Sequence, residues 1–155
     1  MPGVYSELHA QIVFATKYRE ALLDPSWEER IYKYICKTTE NKNQKILSIN
    51  GHWDHVHLLL GFRPNVCISD LVRDIKRSSS LFINELQLTK SRFAWQDGFG
   101  AFSYSKKDID AVAKYILNQK EHHRKTTFKD EYIQFLENFE IEFDERYLFD
   151  FSLLG

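Results

Sequence analysis

Seven consecutive residues, Asp54-His55-Val56-His57-Leu58-Leu59-Leu60, constrain this chain more than any other stretch. They read as a strand, and side chains along a strand alternate between its two faces. Val56, Leu58 and Leu60 point one way and require a core. His55 and His57 point the other way, side by side, as neutral imidazoles able to bind a cation. A strand with an apolar back and a two-imidazole front is half a metal site. What kind of site it becomes depends on what the other elements bring to that face.

The neighbouring elements suggest a frame for this strand. Leu8 to Ala15 alternates as an earlier strand, with Leu8, Ala10, Ile12 and Phe14 on one face and His9, Gln11 and Val13 on the other. Lys17-Tyr18-Arg19 follows as a basic, aromatic strand end, able to touch a phosphate backbone or to lie in solvent. Asp24-Pro25 has the form of a helix start. Trp27, Ile31, Tyr34, Ile35 and Thr38 then recur at helical spacing to about Glu40. Lys45 to Asn50 reads as a strand paired in a hairpin with the one bearing His55. A second helix, capped by Asn65 or Ser69, uses Leu71, Val72, Ile75, Ser79, Phe82, Ile83 and Leu86 as its inner face. Its Arg73, Lys76 and Arg77 could track phosphates or form a solvated face. A Gly-punctuated turn after Trp95 leads into a fourth strand. Ser105 to Asp108 has capping-box spacing ahead of a third helix running to about His123, and a fourth helix spans Lys129 to Glu140. Strand, helix, strand, strand, helix, strand is the split βαβ order of an α+β, ferredoxin-like (RRM-like) antiparallel sheet, here with extra C-terminal helices. The strand of His55 and the first strand would be central. Helices would cover the face of Val56, and the face of His55 would be left for function.

Charge divides the chain unevenly. Residues 128–150 hold Lys129 and Arg146 against eight acidic residues, although the whole chain is close to neutral. A moderately basic body with an acidic tail suits an anionic partner held away from the tail; two ordinary solvated faces would look the same. The expected division is a domain over 1–125 and an acidic helical extension over 126–155. Cys36 and Cys67 have no metal or disulfide spacing and read as reduced thiols of a cytoplasmic protein. No stretch reaches the length of a membrane span.

The late helix supplies the second half of the site. Tyr115, Gln119 and His122 fall within a narrow stripe at helical spacing. Each short pattern is common alone. His-apolar-His on a central strand followed by Tyr-x-x-x-Gln on a late helix is far more specific. In these residues, and from Lys17-Tyr18-Arg19 through Asp54-His55-Val56-His57 to Trp95 and Tyr115-Ile116-Leu117-Asn118-Gln119, the chain resembles the HUH single-tyrosine transposases, which include small insertion-sequence enzymes and relatives associated with repetitive extragenic palindromes. The resemblance implies a homodimer that cuts single-stranded DNA at the foot of a hairpin. It implies a divalent metal, Mg2+ or Mn2+, on His55, His57 and Gln119, and Tyr115 as nucleophile. His122 and His123 lie close enough to replace Gln119 or to touch the phosphate.

The residue types suit that chemistry. A cation on two imidazoles and an amide keeps its full charge to polarise a phosphate. The tyrosine hydroxyl can then form a 5′-phosphotyrosine that conserves bond energy for rejoining. A hydrolase using His55, His57 and His122 or His123 would need a general base on the same face. Asp54 is the nearest carboxylate, and it reads as a strand end or as a residue orienting a histidine. A relative that binds nucleic acid without cutting it is the other alternative, although the exposed face lacks the paired aromatics of an RNA-recognition sheet.

Overall fold

The computed structural model describes residues 3–18 and 20–151. Its elements are β1 (Leu8–Ala15), α1 (Glu28–Asn41), β2 (Lys45–His52), β3 (His55–Phe62), α2 (Ile68–Glu85), β4 (Gly100–Ser103), α3 (Ile109–Leu117), α4 (Gln119–His122) and α5 (Phe128–Asn138). The strands form one antiparallel sheet in the order β2-β3-β1-β4, the ferredoxin-like arrangement expected from the order of elements. β1 and β3 are the central pair.

Register sorts the side chains between faces. Ala10 opposes Leu60, Ile12 opposes Leu58 and Phe14 opposes Val56, all on one face; Gln11 opposes Leu59 and Val13 opposes His57 on the other. α2 lies on the Phe14 face, because Trp95 packs edge-on to Phe14 at 4.7 Å and its indole N–H donates to Ser79 of α2 at 2.9 Å. α1 packs on α2 through a stack of Tyr34 on Phe82 at 4.2 Å.

The face of His55 and His57 is not open, contrary to the expectation above. α3 lays Ile109, Val112 and Ile116 against Leu59, and α4 and α5 close the rest. Fully burying Leu59 and Ile116 stabilises this second layer by about 2 kcal/mol each. The helix tracts contain enough apolar positions to cover both faces, so the histidines become buried residues.

Several local expectations also shift. Asp24 opens a turn instead of capping the helix directly: its carboxylate accepts from the Ser26 N–H at 2.8 Å, and regular helix begins at Glu28. α1 buries Tyr32 and Thr39 where Tyr34 and Thr38 were expected, because the Tyr32 hydroxyl donates to a buried Glu28 at 2.8 Å. Cys67, not Asn65 or Ser69, precedes α2, without a side-chain cap. Ser105 bonds to the Asp108 carboxylate at 3.0 Å across a 3-10 turn. Leu47 is exposed because a bulge between Ile46 and Ser48 takes it out of register. Among the described residues, no helix is long and apolar enough to cross a membrane.

The β2–β3 hairpin turns through Trp53 and Asp54, and Gly51 lies just before it opposite Val56. A β-carbon on Gly51 would strike the backbone carbonyl of His55 and come within 3.0 Å of the Tyr32 hydroxyl. Gly51→Ala should therefore displace the His55 backbone and destabilise the fold by about 1–3 kcal/mol. Urea melts measure this, and an unchanged midpoint would mean that the hairpin relaxes freely.

Candidate metal and nucleophile site

Two second partners aim the histidines. His55 Nδ1 bonds Asp54 Oδ1 at 2.6 Å, and Asp54 is fixed in turn because its carbonyl accepts from the Thr16 N–H at 2.9 Å. His57 Nδ1 bonds Gln11 Oε1 at 2.7 Å, while the Gln11 amide nitrogen donates to the Tyr104 hydroxyl at 3.0 Å. Each Nδ1 therefore carries the proton it donates, and each Nε2 is turned towards the same point. His123 repeats the device: its Nδ1 donates to the Thr126 carbonyl at 2.8 Å.

More acceptors meet those nitrogens. Gln119 Oε1 is 3.2 Å from His55 Nε2 and 3.0 Å from His123 Nε2. Glu131 Oε1 is 3.0 Å from His57 Nε2, 3.2 Å from His123 Nε2 and 3.6 Å from His55 Nε2. The Gln119 amide nitrogen donates to Glu131 Oε2 at 3.0 Å, which fixes the amide with its oxygen towards the histidines. The ligand atoms of His55, His57, His123 and Glu131 all lie within 4.8 Å of one another. Lone pairs this close repel unless a proton or a cation lies between them, and nitrogen with oxygen donors suits a divalent ion.

Tyr115 stands beside this cluster. Its hydroxyl donates to Glu131 Oε2 and lies 3.4 Å from His122 Nε2. The spacing-based stripe of Tyr115, Gln119 and His122 is thus realised in space, although not on one helix. The helix expected to reach His123 is interrupted at Asn118, and α4 begins afresh at Gln119. Lys120 anchors that short helix, its ammonium lying 2.6 Å from Glu28 Oε1 and donating to the Gly51 carbonyl at 3.2 Å.

Glu131 is the residue that sequence reasoning missed. By charge it groups with the acidic tail, and Asp54 is the nearest carboxylate that the sequence offers to this face. Glu131 is instead only 3% exposed. The signal was present: Phe128, Tyr132 and Phe135 form an apolar stripe, and Glu131 lies inside it. Phe128 stacks flat on His55 at 3.8 Å, so α5 is held to the site by aromatic contact as well as by charge. The basic residues are elsewhere. Arg73 and Lys76 lie on α2 behind the other sheet face, Arg73 paired with Asp70 at 3.3 Å and Lys76 donating to the Gln96 and Gly98 carbonyls at 2.6 and 2.9 Å. Arg77 is an exposed residue of the same helix. Lys17 is exposed just beyond β1, and Arg19 lies outside the described residues.

Burial sets the charge states. It pushes the His55 imidazole down to about 4, outweighing the Asp54 hydrogen bond, so His55 is neutral. Burial also raises the Tyr115 phenol, and the Glu131 charge raises it further. Glu131 itself is pushed up by burial, but His57 and His123 more than offset this and hold its carboxyl well below the usual range. The unfolded chain binds a proton at His55 that the fold refuses. The resulting stability is intact above about pH 6.5 and is lost as pH falls towards 4, by on the order of 3 kcal/mol. Urea midpoints of chelator-treated protein between pH 7.5 and 5 should fall accordingly. Burial lowers the His123 imidazole, but its hydrogen bond to Glu131 outweighs this and raises it, a shift of opposite sign, so the comparison is made in His123→Gln protein; a flat profile there would show that His55 is protonated in the fold.

Residues 4–119, which hold β1 through Gln119, match the family described as "Transposase IS200 like". The transposase for insertion sequence element IS200 of Salmonella typhimurium is 34% identical over 74 residues, or 48% of this chain and 49% of that protein, so the chain spans about half the length of that relative. The ISDra2 transposase TnpA of Deinococcus radiodurans is 23% identical over 122 residues, covering 76% of this chain and 87% of that one. A REP-associated tyrosine transposase, solved bound to a REP hairpin, superposes with a TM-score of 0.58 at 17% identity, over 79% of this chain and 73% of that one. On the match over residues 4–119, which includes both strand histidines, Tyr115 and Gln119, this chain belongs to the IS200-like transposase family.

Proposed function

We propose that this chain nicks and rejoins single-stranded DNA at hairpin ends, with Tyr115 as the nucleophile. The observation that carries the proposal is the Tyr115 hydroxyl beside a ring of converging ligand atoms. His55, His57 and Gln119 would hold a divalent ion, Mg2+ or Mn2+, with His123 and Glu131 completing the set. The donor chemistry fits: neutral imidazoles, an amide oxygen and one carboxylate. When bound, the ion would supply positive charge to the scissile phosphate. The REP hairpin in the related solved structure supports a hairpin partner.

In this reading the Tyr115 oxygen bonds to phosphorus while the bond to the 3′ oxygen breaks, leaving a 5′-phosphotyrosine and a free 3′ hydroxyl. Glu131 Oε2 accepts the hydrogen bond of the phenol and is the nearest acceptor for its proton. His122 is next, its imidazole kept largely neutral by burial. Asp54 and Gln11 orient His55 and His57 and touch no reacting atom. Rejoining reverses the step, with a 3′ hydroxyl as attacking group. Glu131 also favours a second reading, a metal-dependent hydrolase, because it supplies the carboxylate that such an enzyme needs. That reading predicts cleavage without a protein–DNA adduct.

The decisive test is a labelled single-stranded hairpin oligonucleotide, a divalent metal and a denaturing gel. Wild type should form a covalent adduct. Tyr115→Phe should form none, while keeping the fold and the metal affinity. His57→Ala should weaken Mn2+ binding, followed by calorimetry, by upward of about tenfold and regain some adduct at high Mn2+. An adduct from Tyr115→Phe would move the nucleophile to Tyr104 or Tyr132.

The working form in this proposal is a homodimer with two such sites, although each site takes Tyr115 and both histidines from one chain. Lys17, Arg19, Arg73, Lys76 and Arg77 are the cations proposed to meet the DNA backbone. Because Lys76 also holds the loop at Gln96 and Gly98, Arg73→Ala with Arg77→Ala is the cleaner variant. Sedimentation of hairpin complexes at rising salt tests both ideas. Two chains per complex are expected for wild type, with a salt slope reduced by about one to two in the variant. Monomers throughout would remove the dimer, and an unchanged slope would remove α2 from the interface.

A further inference from the structure

Tyr115 and His122 line two adjoining cavities. One, of about 500 Å3, has Lys114 and Asn118 on its wall. The other, of about 600 Å3, runs between α3 and α5 and is walled by Val112, Tyr104 and Phe135, with Asp108, Gln134 and Asn138 among its polar groups. No lysine or arginine lines this second cavity. A phosphate would meet the carboxylates of Asp108, Asp130 and Glu131 there with no lysine or arginine to offset them. A flat, uncharged aromatic ligand would meet apolar walls and hydrogen-bonding side chains.

We propose that this slot receives the base of a nucleotide adjoining the scissile phosphate, and that it prefers an amino-bearing base over thymine. The inference rests on the reading of Tyr115 as the DNA-cleaving residue. A base belonging to the phosphate at the tyrosine hydroxyl lies within one nucleotide of the slot mouth, where Tyr115 itself forms part of the wall. Phe135 is stacked on Phe102 at 5.0 Å, which fixes its ring as a wall on which a base can pack. Gln134 donates its amide nitrogen to Asn138 Oδ1 at 2.9 Å, leaving Gln134 Oε1 free to accept and Asn138 Nδ2 free to donate. Asp108 is a further acceptor. An exocyclic amine offers such acceptors two N–H groups, whereas thymine offers one ring N–H in all. The sugar-phosphate strand would run on through the cavity of Lys114, whose cation the base slot lacks. Tyr104 also joins the slot to the metal cluster, because Gln11 bonds both its hydroxyl and His57.

The test uses the full chain with Mn2+ and a pool of single-stranded hairpin oligonucleotides carrying six random nucleotides on each side of the stem. Both bound molecules and covalent adducts are sequenced. Wild type should enrich amino-bearing bases over thymine about tenfold at one position. Gln134 and Asn138 are exposed, so alanine at either leaves the core intact. Gln134→Ala should reduce that enrichment towards unity, Asn138→Ala, which frees the Gln134 amide to turn, should reduce it in part, and both should spare preferences elsewhere. Phe135→Leu keeps an apolar packing group but should weaken binding of every base at that position alike. Adducts without a position sensitive to these variants would overturn the slot and leave the cleavage reading standing. A sensitive position without adducts would support the slot and overturn the cleavage. Absence of binding to the whole pool would overturn both.

Discussion

The architecture around the histidines depends on where three protons are. Asp54, Gln11 and the Thr126 carbonyl each take the Nδ1 proton of a histidine. Their common effect is that His55, His57 and His123 all turn Nε2 inward, onto Gln119 Oε1 and Glu131 Oε1. Lone pairs crowded into a buried site are unfavourable unless a proton or a cation lies between them. The surrounding packing holds it together: Phe128 lies flat on His55, and Leu59 is locked under α3. Binding a cation would relieve the repulsion, and preorganised ligands lose little freedom in binding it.

Much of this was legible in the order of residues. Alternation placed His55 and His57 on the face opposite Val56, and the split βαβ order placed their strand at the centre of the sheet. Tyr115 and Gln119 followed from spacing and resemblance. The closure of the site was not legible, for a physical reason. Glu131 is one of eight acids spread over residues 128–150, where charge argues for solvent, yet it also falls within a helical apolar stripe. Charge density and periodicity pointed in opposite directions, and the packing of Phe128 and Phe135 decided between them. The same aromatic helix explains why the functional sheet face is covered.

The interruption at Asn118 could not be read from the sequence either. Tyr115 through His123 has uniform helical character, and neither Gly nor Pro marks a break. With a continuous helix, Tyr115 and Gln119 would share one face four residues apart. The break gives α4 its own position, so that Gln119 and His123 meet the strand histidines while Tyr115 reaches Glu131 and His122.

A helix as short as α4 has little stability of its own, because nucleation costs more than one turn returns. Its position comes from elsewhere in the fold. Lys120 reaches to Glu28 at the start of α1, and Glu28 is held by Tyr32 from the same helix. The ammonium also donates to the Gly51 carbonyl, two residues before the Trp53-Asp54 turn. That turn sets Asp54, and Asp54 sets His55. One lysine therefore ties Gln119 and His123 to the hairpin that presents His55 and His57. This link runs through α1, a helix that offers no ligand to the site. The βαβ frame is thus more than a platform for the histidines: its first helix and first hairpin together fix the spacing between the two halves of the site.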